Sequence, residues 1–148
     1  MAGKYFEELK IGEKFISPGR TITETDIVLF SGLSGDYNLP HTNEEWCKKT
    51  PFRSRIAHGL LIASIASGLS VRLGLFEGTG LAHLGTTIRF VAPVYPMDTL
   101  HVELEILGKK EMDANRGRVT VKLETINQDG KVVETEEINV MIARKLST

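Results

Sequence analysis

The sequence predicts an α+β domain in which one long helix is followed by an antiparallel meander able to wrap around it. Three observations carry this expectation. The middle of the chain has a stretch of helical period, and the last third alternates apolar and polar residues. Asp129-Gly130 stands between two of the alternating runs as a hairpin signal. The first third is loop-rich, and 148 residues without repeats or a low-complexity linker suit a single domain spanning 1–148.

Taken in chain order, Thr23 or Thr25 is placed to cap a short helix through Asp26-Ile27-Val28-Leu29-Phe30 that stops in the Gly32/Gly35 region. Thr42 or Asn43 then caps a turn over Glu44-Glu45-Trp46-Cys47. The main helix is expected from about Ile56 to Arg72, with Ile62, Ile65 and Leu69 on one apolar face. Gly59, Ala63 and Ser67 form a second stripe of small residues, which admits either close packing or a thin ligand. After Leu73 the expected strands are Gly85–Val91, Thr99–Lys109, Gly117–Asn127 and Val132–Arg144. His101, Glu103 and Glu105 alternate with Val102, Leu104 and Ile106, which buries one face of that strand. Pro93 and Pro96 mark the connection before it.

Composition narrows the partners. With 41% hydrophobic residues, 25% charged and a net charge of -1, the chain reads as a soluble protein without a nucleic-acid footprint. Its one dense basic spot, Lys48-Lys49 with Arg53 and Arg55, suits a small anion. No run approaches the roughly 18 apolar residues of a membrane span, and the polar start lacks a secretory stretch, so a cytoplasmic location is expected. Cys47 stands alone, which rules out an internal disulfide and reads as a structural thiol. Four scattered histidines do not read as a metal site. Among them His83 and His101 read as surface residues, and His58 as a shaper of the helix entry.

Chemistry concentrates in Phe30-Ser31-Gly32-Leu33-Ser34-Gly35-Asp36-Tyr37-Asn38-Leu39-Pro40-His41. Asp36 and His41 stand five residues apart, a spacing that diverges on a helix but converges on an irregular turn. Gly35 and Pro40 argue for such a turn, with Leu39 pushed into an extended conformation. A carboxylate and an imidazole on a stiff loop suit acid–base work on a water, although taken alone such a pair is more often a turn cap and a surface histidine. Arg55-Ile56-Ala57-His58-Gly59 adds a second part. First-turn N–H groups favour developing negative charge, and Gly59 lets a carbonyl oxygen come close to the main chain. Hydration of an enoyl thioester needs both parts.

The motif Asp-Tyr-Asn-Leu-Pro-His, followed 17 residues later by His-Gly-Leu-Leu-Ile-Ala-Ser, resembles the signature of MaoC-like (R)-specific enoyl-CoA hydratases. The resemblance extends from Glu8-Leu9-Lys10-Ile11-Gly12 to the closing strands. It implies a hot-dog fold, an antiparallel sheet wrapped around a long central helix, in a homodimer or larger homo-oligomer. It also implies Asp36 and His41 as the catalytic pair, the Gly59 N–H as oxyanion donor, and Asn38 and Ser67 in support. No metal or resident cofactor is implied, because the coenzyme A thioester is the substrate. Two positions depart from the family's usual Asp-x-Asn-Pro-(Leu or Ile)-His. Leu39 and Pro40 stand in reverse order, and Asn43 replaces a common aspartate. The residues lining the acyl site are expected from Gly74–Gly85 and from a partner chain.

Three alternatives have their own signatures. A hot-dog thioesterase usually carries a carboxylate within the long helix, and Ile56 to Arg72 holds neither Asp nor Glu. An acyl-carrier-protein dehydratase differs in the thioester carrier. A non-catalytic acyl-thioester-binding subunit is expected to have lost Asp36 or His41, and both are present.

Overall fold

Alternation of side chains decides the sheet. Along β4 (Thr99–Glu111), Leu100, Val102, Leu104 and Ile106 are buried, while His101, Glu103 and Glu105 stand partly exposed on the other face. Along β5 (Arg116–Ile126), Val119, Val121 and Leu123 repeat the buried set. β6 (Val132–Ala143) follows through the turn at Asn127–Gly130, where Gly130 takes a φ of 74°. The remaining strands are β1 (Lys14–Ile16), β2 (Arg20–Thr21) and β3 (Gly80–Phe90). The computed structural model, which describes residues 3–145, arranges them antiparallel in the order β1-β4-β5-β6-β3, with β2 paired to β4 beside β1. β3 is therefore an edge strand with β6 as its neighbour.

The long helix α4 (Gly59–Val71) lies on the inner face of this sheet. Its Leu61, Ile62, Ile65, Ala66 and Leu69 pack with Leu100, Val102 and Leu123. Each fully buried aliphatic side chain there contributes on the order of 1.5–3 kcal/mol relative to exposure. A second cluster around Phe6, Leu9, Leu104 and Ile106 closes the N-terminal segment onto the far end of the sheet.

Several boundaries differ from the sequence expectation. α4 begins at Gly59 rather than Ile56, because Ile56 N–H is bound to Pro40 C=O and Ala57 N–H to Val94 C=O. Those bonds hold the entry extended until His58, which caps the helix at φ -62° and ψ 137°. β3 starts at Gly80, earlier than expected, by pairing with the end of β6 through two register irregularities. β1 and β2 were not expected. They are three and two residues long, too short to show a period, and pairing with β4 creates them. Among the described residues, no helix is long and apolar enough to cross a membrane.

Candidate active site

A helix stop delivers the carboxylate. Thr23 caps α1 (Glu24–Ser34) in a reciprocal capping box with Asp26. Gly35, at φ 76°, ends the helix with its N–H on Ser31 C=O. Asp36 follows at once. Its Oδ1 accepts the Asn38 N–H at 3.1 Å, and its own N–H donates to Ser34 Oγ.

A second stop delivers the imidazole. Asn38 caps the helical turn α2 (Leu39–Thr42) by accepting the Leu39 N–H, and Pro40 occupies the first turn. Asn38, at ψ 146°, is the extended residue, whereas Leu39 is already helical and so departs from the expectation for a residue before proline. The Cys47 thiol lies beneath this turn, donating towards Leu39 and Pro40 C=O at 3.6 and 3.4 Å. Cys47 is fully buried, and burial pushes its thiol up from the ordinary range. Asn43 accepts the Trp46 N–H and caps α3 (Glu44–Cys47).

His41 Nδ1 lies 2.8 Å from Ile56 C=O. A carbonyl only accepts, so Nδ1 carries a hydrogen, and in the neutral imidazole the lone pair is then on Nε2. Asp36, His41 and His58 offer ligand-type atoms that all lie within 4.8 Å of one another. The expected pair therefore converges, and a third side chain joins it. That third residue is buried. His58 Nε2 reaches Asp36 C=O at 2.9 Å, and its ring stacks on His41 with centroids 3.8 Å apart and planes 24° apart. A metal shared by two imidazoles sits in the plane of each ring, about 2.0–2.1 Å from nitrogen for zinc. The two rings here are stacked, and His58 Nε2 is already committed to Asp36 C=O, so that nitrogen is not offered to a metal.

Next to His41 a cleft of about 370 Å³ is lined by Gly59, Phe52, Ile56, Ile62 and the segment Phe90–Val94. None of Gly74–Gly85 lines it, contrary to the expectation from sequence, because those residues run into the first half of β3. Gly59 heads α4, where no residue four positions back supplies a helical acceptor for its N–H. A Cβ on Gly59 would lie 2.8 Å from the Phe90 ring, so any side chain there must displace that exposed ring. Ser67 does not line the cleft. It is exposed on α4, roughly 12 Å along the helix from Gly59.

The basic spot is partly spent. Arg55 donates to both oxygens of Glu24 and to Glu44, tying α1 and α3 to the segment that enters α4. The Arg55 backbone N–H, then the Ser54 hydroxyl and the Arg55 side chain, hold the Glu44 carboxyl below its ordinary range. Lys48 pairs with Glu45. Arg53 is exposed beside the cleft residue Phe52 and has a φ of 66°, a strained value for a non-glycine residue.

Sequence reasoning missed Phe52 and Phe90. Phe52 lies three residues before the Arg55–Gly59 segment but carries no pattern that marks it, and Phe90 is brought to the site only by the sheet pairing.

The chain is similar to known proteins over most of its length. The MaoC like domain matches residues 7–128. The (R)-specific enoyl-CoA hydratase of Rhodospirillum rubrum is 38% identical over 142 residues, 93% of this chain and 91% of that protein. A solved structure of a monoamine oxidase regulatory protein from Archaeoglobus fulgius matches with a TM-score of 0.92 at 38% identity, covering 98% of this chain and 97% of that one. The MaoC-like dehydratase structure from Rhodospirillum rubrum matches with a TM-score of 0.88 at 29% identity, covering 98% and 100%. The hot-dog expectation holds, and on sequence and fold together this chain belongs to the MaoC-like dehydratase family.

Proposed function

We propose that the chain is a hydro-lyase that adds water across a trans-2-enoyl-CoA to give an (R)-3-hydroxyacyl-CoA, and catalyses the reverse dehydration. The observation that carries this reading is the convergence of Asp36 and His41 beside the head of α4. The kinship with an enzyme named (R)-specific enoyl-CoA hydratase supports the choice of substrate and stereochemistry.

In this mechanism one water is held between the Asp36 carboxylate and the His41 Nε2 lone pair. Its oxygen bonds to Cβ as one of its protons passes to the pair. The pair delivers a proton to Cα on the same face, so water is added with no covalent intermediate. Negative charge that develops on the thioester oxygen meets the Gly59 N–H and the positive end of α4. Closely coupled groups titrate together, so the two proton transfers belong to the pair. Coenzyme A enters as part of the substrate, and the reading calls for no metal or resident cofactor. Exposed Arg53, next in sequence to the cleft residue Phe52, suits an anionic group of the carrier.

A homodimer or larger homo-oligomer in the cytoplasm completes the reading. Among the described residues β3 presents a free edge, and Leu81, Leu84 and Phe90 on it are exposed, as are Leu60 and Val71 of α4. Asp36 is also exposed in the single chain, and a second copy at this edge would enclose the site. The functional test is loss of the enoyl-thioester absorbance of crotonyl-CoA, with the product offered to an (R)-specific 3-hydroxyacyl-CoA dehydrogenase. Hydration to the (R) product supports the proposal, whereas no hydration or an (S) product overturns it. A panel of longer enoyl-CoA and acyl-carrier-protein substrates then sets the chain length and carrier.

A further inference from the structure

We infer that His58 is a positioning residue for the Asp36–His41 pair and works as the neutral Nε2–H tautomer. The inference rests on the proposed hydration for its kinetic part. Its geometric part stands alone.

His58 is 2% exposed and lies between the two elements that carry the pair. Its Nε2 is 2.9 Å from Asp36 C=O and 3.3 Å from Ser31 Oγ. The carbonyl only accepts, so Nε2 carries the hydrogen. Its Nδ1 is buried and has no partner among the described residues. A second proton on Nδ1 would be a buried donor without an acceptor, in a ring stacked against His41. The groups facing His58 are Phe30, tilted against it at 5.0 Å, then Ser31, Asp36 and His41. Among these the Asp36 carboxylate accepts the Asn38 N–H and has an oxygen within 4.8 Å of a His58 ring nitrogen. The neutral tautomer therefore follows from two sides: the acceptor at Nε2 and the lack of one at Nδ1.

What this does is mechanical. Asp36 is the first residue after the α1 stop and is exposed, and its main-chain N–H is held by Ser34 Oγ while its carbonyl needs a donor of its own. The His58 N–H fastens the Asp36 carbonyl, and the ring face sets the plane of His41, whose other anchor is Ile56 C=O. His58 is also the residue before Gly59, so one side chain keys the acid–base pair to the head of α4. A misplacement of about 1 Å in such a constellation costs on the order of 10² in rate.

Two variants separate the parts. His58→Phe keeps a ring face for His41 but has no N–H, and His58→Gln keeps a side-chain N–H without the ring. For crotonyl-CoA hydration, His58→Phe is expected to lose about 10² in kcat while KM changes little, because His58 does not line the cleft. His58→Gln is expected to recover most of that loss. Wild-type kcat in folded His58→Phe, a loss expressed mainly in KM, or no recovery by His58→Gln overturns the inference. Long-range ¹⁵N–¹H correlation spectra of the wild-type imidazoles provide a readout that needs neither variant nor activity. The expected pattern is Nε2–H for His58 and Nδ1–H for His41. A cationic or Nδ1–H His58 overturns the inference even if hydration is observed. An inactive wild type with the expected tautomers overturns the proposed function and leaves the positioning geometry standing.

Discussion

Glu134 offers a direct test of the core electrostatics. It is fully buried on β6, opposite Thr125 of β5, whose hydroxyl donates to Oε2 at 2.9 Å. Among the described residues Oε1 has no partner, and the neighbouring buried Glu136 also has an unpartnered oxygen. Burial is the main cause that pushes the Glu134 carboxyl from 4.5 up to about 7, opposed by the Thr125 hydrogen bond and assisted by Glu136. Burial raises Glu136 as well. A folded-state value above the unfolded one means that the folded protein holds its proton longer. The stability this group contributes is thus fully present below about 4.5 and is lost as pH rises to about 7. At about 1.4 kcal/mol per pH unit the full interval would cost about 3 kcal/mol. Allowing for residual solvation, 2–3 kcal/mol is a realistic order of magnitude. For a chain of this size that corresponds to roughly 6–9 °C in Tm. Glu134→Gln removes the titration at nearly constant volume. Melting both proteins at equal concentration from pH 4.5 to 8 should show the variant gaining about that much relative to wild type across the interval. Curves that stay parallel would refute the reasoning, because they would mean that Glu134 ionises normally and is reached by water or a cation.

Three further outcomes are expected. Asp36→Asn and His41→Gln should each reduce crotonyl-CoA hydration by about 10²–10⁴, with the double variant only slightly worse than either single one; wild-type rates in both folded singles would reduce the pair to a structural turn. Gly59→Val should cost on the order of 10²–10³ in turnover, since a side chain there collides with the Phe90 ring and blocks the approach to the N–H; near-normal hydration would put the oxyanion donor elsewhere. Sedimentation at micromolar concentration should show a dimer or larger, and Leu84→Lys on the β3 edge should weaken it; a wild-type monomer would remove the proposed second copy.

The sequence by itself determined the parts that depend on neighbours along the chain. The alternation of Leu100 to Ile106 and of Val119 to Leu123 specified buried strand faces. Asp129-Gly130 marked a hairpin, and the Gly35 stop and Pro40 turn framed a converging Asp36 and His41. These features are local because they follow from residue period and from the φ values glycine and proline allow. Tertiary structure alone decided what depends on contacts between distant segments. Hydrogen bonds from Ile56 and Ala57 to Pro40 and Val94 moved the start of α4 to Gly59. Pairing with β4 made strands of Lys14–Ile16 and Arg20–Thr21, whose own pattern is silent. The same long-range packing set Phe90 against Gly59 and His58 against His41, while leaving Ser67 outside the cleft. Side-chain period records which face is buried, but not which residue waits on the other side. That is settled only when sheet register and helix placement are fixed together.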